Sequence, residues 1–360
     1  MRSNPAGVRC MLMRGGTSKG AFFLADDLPT DPADRDRLIL RIVGSPDPRQ
    51  IDGIGGAHPL TTKVAVVGPN RDGRADVDYL FLQPSVDAAL VSDAQNCGNM
   101  LAGIGPFAVE RGLVAVTGSS AEVRILMVNT DSVAVARFDL DGEGMPVYDG
   151  DLAVSGVPGT AAPIRLDFED VAGSSCGALF PTGNTVDIVA GIRCTLVDNG
   201  MPVVVMRADD VGVRGDEDCA ELEANGELRA RLEAIRLAAG PLMNLGDVAS
   251  TTVPKLTMVS PPREGGSLST RTFIPHRCHD AIGVLGAVSV AVAAKVAGTP
   301  AAEVLVPRSD DLVVLEHPTG LFETSLTVHG SGTDVRVDRA GIVRTTRKLM
   351  DGVVFPRSYA

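Results

Sequence analysis

Three stretches of the chain bring together residue types that bind anions or move protons. Arg14–Phe23 reads RGGTSKGAFF, with two glycines ahead of Thr17, Ser18 and Lys19. Such a turn can offer hydroxyls, an ammonium and backbone N–H groups to a carboxylate or phosphate. An ordinary hairpin turn reads the same way, and the spacing is not that of a GxxxxGK[ST] phosphate loop. Ile51–Lys63, IDGIGGAHPLTTK, is a second glycine-rich turn, ending with Lys63 at the mouth of the apolar run Val64–Val67. Desolvation favours the neutral form of a lysine entering a half-buried strand, which suits a general base, although most lysines so placed extend to solvent. NCGN, Asn96–Asn99, sets the Cys97 thiol where a helix is predicted to start, and free N–H groups there favour a thiolate or receive a carboxylate. Most free cysteines are inert core residues. Cys278, followed by His279 and Asp280, opens a second apolar segment in the same manner, so two such sites could face each other across a cleft.

Other candidates carry less chemistry. The TGN turn at Thr182–Asn184 could present an amide, but turn formation explains it equally. Cys10, Cys194 and Cys219 sit in strand or helix context and read as packing residues, and His317 and His329 lack ligand partners at useful spacing. The six cysteines form no CxxC pair and no zinc-type cluster, so neither a metal site nor a disulfide scaffold is expected.

The elements that must hold these residues are mostly strands. With 40 Gly and 23 Pro punctuating short runs of Val, Ile, Leu and Thr, the chain reads as strand-rich, with strands at Val8–Met13, Ala21–Leu24, Thr62–Val67, Val77–Gln83 and several later runs such as Lys255–Val259 and Leu268–Phe273. Three helices are predicted. Cys97–Arg111 and His279–Ala297 are apolar nearly all round and should be enclosed by sheet, whereas Glu221–Leu237 is charged on one face and should lie at the surface. The two strand–loop–Cys–helix units, about 180 residues apart, indicate two domains of one architecture. The length agrees with about two domains.

Composition excludes several functions. A formal net charge of −12, with no Trp and three Tyr, argues against a nucleic-acid surface. The longest apolar run, Ala281–Ala294, is too short for a bilayer span, and the first twenty residues hold no uninterrupted secretory core. A cytoplasmic protein with free thiols is expected.

Together, RGGTSKGAFF, DGIGG with TTKVAVV, NCGNM, PTGN and the late H-x-A-x-G-x-x-G-A-x-S-x-A segment resemble the group of 4-oxalomesaconate tautomerases and 2-methylaconitate isomerases, relatives of diaminopimelate epimerase. The resemblance runs from about Arg9 to Phe355. It implies an α+β fold of two pseudo-symmetric domains, each a mixed β-sheet wrapped around a central helix, covering 1–170 with 345–360, and 171–344. It implies Lys63 and Cys97 as the acid/base pair, and Cys278 at the second thiol position of the epimerases, although CHDAIG replaces their CGSG pattern. Thr17, Ser18, Lys19, Asn96, Gly98, Asn99, Met100, Asn184, Arg271, Cys278, His279 and Asp280 would surround the substrate. The implied activity is a cofactor-independent allylic proton shift, keto–enol tautomerisation of 4-oxalomesaconate in gallate-type aromatic degradation. Methylaconitate isomerisation, another unsaturated tricarboxylate isomerisation, and a non-catalytic carboxylate-binding protein are the alternatives. No cofactor, metal, nucleic acid or membrane partner is expected beside a small di- or tricarboxylate, and family analogy implies a homodimer.

Overall fold

The structure, a computed structural model, describes residues 6–93, 96–169, 171–309 and 311–358. The chain divides into two compact units, Met1–Asp167 with Val343–Ala360, and Phe168–Ile342. The domain limits expected at 1, 170 and 360 fall outside the described residues. Among the described residues no helix is long and apolar enough to cross a membrane.

In the first unit, β1 (Val8–Gly15) and β2 (Ser18–Leu24) form an antiparallel hairpin. The chain then crosses through α1 (Pro32–Val43) to β3 (Lys63–Pro69), which runs parallel to β2 with Lys63 opposite Gly20. β4 (Val77–Pro84) returns antiparallel to β3, and the short β5 (Val91–Ser92) pairs with its end. Next come α2 (Gly98–Leu101), α3 (Ile104–Glu110), β6 (Ser120–Met127) parallel to β4, and β7 (Ser132–Asp139) antiparallel to β6. A small ribbon of β8 (Leu152–Ala153) and β9 (Thr160–Ala161) precedes β10 (Pro163–Phe168), the neighbour of β7.

Strand alternation gives this sheet two faces. Cys10, Ala21, Phe23, Val64, Val66 and Leu82 pack against Ile39, Ile42 and Val43 of α1. The opposite face receives α2 and α3, with the Phe22 and Phe107 rings 5.7 Å apart. Because α3 is enclosed, an all-apolar surface suits it, and Ile104, Phe107 and Ala108 are fully buried. The single helix expected over Cys97–Arg111 is instead two. Ala102 N donates to Asn99 O and Gly103 N to Met100 O, a tightened turn that interrupts the α-helical ladder, and Gly103 passes so close to Phe22 that a Cβ would sit 2.8 Å from its ring. Helix α1 was not among the expected helices.

In the second unit, β11 (Asp187–Val189), β12 (Ile192–Asp198) and β13 (Pro202–Arg207) are successively antiparallel. The chain crosses through α4 (Cys219–Ala224) and α5 (Gly226–Leu242) to β14 (Lys255–Ser260), parallel to β13 with Lys255 opposite Val203. β15 (Leu268–Phe273) returns antiparallel. Helices α6 (Val284–Lys295) and α7 (Pro300–Val304) then lead to β16 (Leu312–His317), parallel to β15, followed by the antiparallel β17 (Gly320–His329) and β18 (Arg336–Val354). Leu196, Val204, Met206, Leu256, Met258 and Phe273 pack against Leu228, Leu232, Ile235 and Ala239 of α5. Helix α6, buried from Ala287 to Ala294, touches β12, β13, β16 and β17.

Two further helix expectations are corrected here. The helix expected at Glu221–Leu237 breaks at Asn225, whose extended backbone and side chain cap α5 by accepting from Leu228 N. Helix α6 starts five residues later than expected, because Cys278 bridges Phe273 and His279 N donates to Thr272 O at 2.8 Å, prolonging the extended chain. From Val343 onward β18 belongs to the first unit, where it pairs with β1 and neighbours β10, closing β1-β2-β3-β4-β6-β7-β10-β18 into a ring. The fold is α+β with mixed sheets around enclosed helices, as expected.

Candidate active site

The RGGTSK hairpin turn lies directly on the start of α2. At Gly15 a Cβ would stand 2.3 Å from the Asn99 carbonyl oxygen, and at Gly16, with φ +50°, 2.2 Å from Asn99 Oδ1. Only glycine permits this approach, which lets Asn99 Nδ2 donate to Thr17 Oγ1 at 3.0 Å. The turn is fixed from its other side by Gly16 N donating to Thr345 O at 2.8 Å and by Arg14, whose Nη1 donates to Gly16 O and Thr345 O. Ser18 is 1% exposed, and its hydroxyl has no hydrogen-bond partner among the described residues. A buried orphan hydroxyl beside a helix start is a position that a substrate oxygen would satisfy. Oδ1 of Asn96 is also buried without a partner among the described residues and, as an acceptor, calls for an N–H or O–H, while its Nδ2 donates to the Thr130 hydroxyl. Lys19 is half-buried, and by alternation it shares the α1 face of β2 with Ala21 and Phe23, opposite Ser18.

Lys63 enters β3 only 8% exposed. Its Nζ donates to Gln83 Oε1 at 2.6 Å and lies 5.1 Å from the centroid of the Phe81 ring. Gln83 is itself pinned by donating through Nε2 to Thr62 O at 2.9 Å. The loop leading to Lys63 is ordered by buried Gln50, whose Oε1 accepts from Ala57 N and the Thr62 hydroxyl. Four residues from Gln83 on the same face of β4, Tyr79 donates its phenol O–H to Cys97 O at 3.3 Å. Burial pushes the Tyr79 phenol well above its usual range, with the neighbouring Cys97 adding to the effect, so the phenol remains a donor. Lys63 and Cys97 are thus both anchored on one face of β4, through Gln83 and Tyr79. Cys97 is the N-cap residue of α2, as expected, but α2 is a single turn. Gly98 opens α2, and Met100 is fully buried, its side chain filling the space a Cβ on Gly20 would need.

The candidates of the second unit do not gather in this way. Asn184 is exposed and spends its amide on Asp187 Oδ1 at 3.0 Å. Arg271 is buried, with Nε donating to Glu217 O and Nη1 to Thr270 O. Cys278 belongs to the apolar layer under α5, its Sγ 3.0 Å from Cys219 Sγ and its N–H on Glu223. Burial, then the neighbouring Cys219 thiol, pushes the Cys278 thiol far above its usual range, which keeps it protonated. His279 is half-buried, its Nδ1 accepts from Ala281 N at 2.9 Å, and burial lowers its pKa, so it is neutral at pH 7. Asp280 is exposed, and its carbonyl accepts from the Thr319 hydroxyl. Sequence reasoning missed Gln83 and Tyr79, whose only signal was their two-residue alternation along β4. Among the described residues no group of His, Cys, Asp and Glu could hold a metal ion.

A buried lysine on a neutral amide, a thiol on a one-turn helix and an orphan hydroxyl on a glycine turn are groups of the kind that take up and give out protons. The PrpF protein family matches residues 6–357. The chain is 60% identical over 348 residues to the (4E)-oxalomesaconate Delta-isomerase of Novosphingobium sp. (strain KA1), covering 96% of each chain. It is 54% identical over 350 residues to the 4-oxalomesaconate tautomerase of Pseudomonas putida, covering 96% of this chain and 95% of that one. The solved structure of a methylitaconate-delta-isomerase superposes with a TM-score of 0.89 at 35% identity, covering 98% of this chain and 96% of the other. The chain belongs to the PrpF family and is an isomerase, which agrees with the resemblance drawn from its motifs.

Proposed function

We propose that this isomerase interconverts the keto and enol forms of 4-oxalomesaconate, with Lys63 and Cys97 as the acid/base pair. The observation that carries the reading is the buried Lys63 ammonium, held by the neutral Gln83 amide instead of a carboxylate. A lysine so held can give up its proton without first breaking an ion pair. A C–H flanked by a double bond and a carbonyl is acidic because its carbanion delocalises as a dienolate. One base and one acid therefore suffice. One member of the pair takes the methylene proton and the other delivers a proton to the carbonyl oxygen. The Ser18 hydroxyl and the second Nδ2–H of Asn96 and of Asn99 supply donors for the carboxylates and the developing oxyanion.

A second reading is favoured by the 60% identity to a relative named as a Delta-isomerase. In it the same dienolate is protonated on carbon, and the double bond migrates. The two readings share the abstraction step and differ in where the proton returns. The reading also takes the two units as copies of one architecture, which their matching orders of strand pairing support.

The test is to incubate purified enzyme with 4-oxalomesaconate in deuterated water, following ultraviolet absorbance and proton NMR. Conversion between keto and enol absorbance, with deuterium entering the methylene when the reaction runs toward the keto form, supports tautomerisation. Deuterium at a newly saturated allylic carbon supports double-bond migration. No exchange and no spectral change would remove both.

A further inference from the structure

The order of strand pairing in the first unit recurs in the second. Antiparallel β1–β2, parallel β2–β3 across an outer helix, antiparallel β3–β4, an enclosed helix, then parallel and antiparallel pairs are matched by β12–β13, β13–β14, β14–β15, α6, β15–β16 and β16–β17. In this correspondence Lys63, the first residue of β3, falls on Lys255, the first residue of β14. The faces also correspond. Val64 and Val66 pack under α1, and Leu256 and Met258 pack under α5, so each lysine lies by alternation on the face away from the outer helix. Lys255 shares that face with Thr257, whose hydroxyl bonds that of Thr272 at 3.0 Å.

The surroundings of the two lysines differ in one respect. Lys63 has Gln83 across from it on the next strand, whereas continuing the Leu256–Phe273 register brings Ile274 opposite Lys255. Lys255 is half-buried, its Nζ donates to Thr252 O at 2.7 Å, and among the described residues no carboxylate forms an ion pair with it. In a chain with a net charge of −12, a half-buried ammonium without a counter-carboxylate is an unmet demand for an anion. His279 lies within electrostatic reach of Lys255, and its Nδ1 is occupied as an acceptor, which leaves Nε2–H as its donor.

We propose that Lys255, with His279 beside it, is a carboxylate-binding position of the second unit. The ligand class, a small polycarboxylate, rests on the proposed function. Burial alone holds the Lys255 ammonium at about 8, and a bound carboxylate would favour its charged form. Lys255 acts here in binding and takes no part in the proton transfer.

The test is calorimetric titration of the full-length enzyme with tricarballylate, a saturated tricarboxylate that cannot be turned over, using wild type, Lys255→Met and Lys255→Arg. Loss of a charge-assisted contact should weaken tricarballylate at least 10-fold in Lys255→Met, and Lys255→Arg should stay within threefold of wild type. An unchanged Kd in Lys255→Met, an equal loss in Lys255→Arg, or no binding of tricarballylate to wild type would each overturn the proposal. Because this binding needs no turnover, a protein inert toward 4-oxalomesaconate that still discriminates in this way would refute the substrate reading and leave Lys255 in place.

Discussion

Replacing Gly15 by alanine tests whether the hairpin turn sets the position of the Cys97 helix. The added Cβ would stand 2.3 Å from Asn99 O and 3.1 Å from Met100 Cα, both backbone atoms of α2. A carbon–oxygen contact needs about 3.3 Å, so α2 or the turn must retreat by about 1 Å. Cys97 is only two residues from Asn99, and the turn cannot yield freely, because Gly16 and Arg14 tie it to Thr345. Overpacking on this scale costs about 1–3 kcal/mol, and a 1 Å displacement of a reacting group costs about 10² in rate. Steady-state kinetics with thermal melting should therefore show kcat down about 10² in a folded, moderately destabilised protein. Gly112→Ala is the control: its φ of +69° costs stability, but no atom lies within 4 Å of the new Cβ, so kcat should hold. Wild-type kcat in Gly15→Ala, or equal losses in both variants, would refute the positional argument.

Gln83→Leu should destabilise the protein by about 1–3 kcal/mol by stranding the buried Lys63 ammonium, and the double variant Lys63→Met/Gln83→Leu should recover most of that loss in denaturant melts. Ser18→Ala removes a buried hydroxyl that has no partner, so it should raise KM while leaving the melting temperature equal to or above wild type; a lower melting temperature with unchanged KM would remove Ser18 from the site. The Arg111 guanidinium holds the Asp351 carboxyl below its usual range, so this pair stabilises fully above about pH 4, and the contribution is lost as pH falls through the depressed value. Since Asp351 is 42% exposed, Asp351→Asn should cost less than about 1 kcal/mol at neutral pH, and its melting curve should meet that of wild type once the pH lies below the depressed value.

What could be read from the sequence was local. Gly15, Gly16, Thr17 and Ser18 signal a polar turn by type and spacing, Lys63 heads an apolar run, and Cys97 precedes a helix; each feature is written within a few consecutive residues. Helix α1 is equally local in its signals, with Asp31 accepting from Asp34 N, Pro32 in the first turn and left-handed Gly44 at its end. Other features depend on contacts between distant segments. Gln83 becomes the partner of Lys63 only through the β3–β4 register, and α2 separates from α3 because Gly103 meets Phe22. Arg271 and Asn184 have suitable side chains for binding an anion, but tertiary and turn contacts with Glu217 and Asp187 already engage them. Lys255 showed no motif at all, and only the repeated pairing order draws attention to it.

The central claim, that one lysine and one thiol of the first unit share the proton transfer, is tested most directly by kcat for Lys63→Ala, Cys97→Ala and Cys278→Ser measured side by side. Loss of a general acid or base should lower kcat by about 10² or more in each of the first two. Cys278→Ser should cost much less, because that thiol is buried against Cys219 and kept protonated. Full activity in Cys97→Ala together with a dead Cys278→Ser would contradict the account and move the chemistry to the second unit.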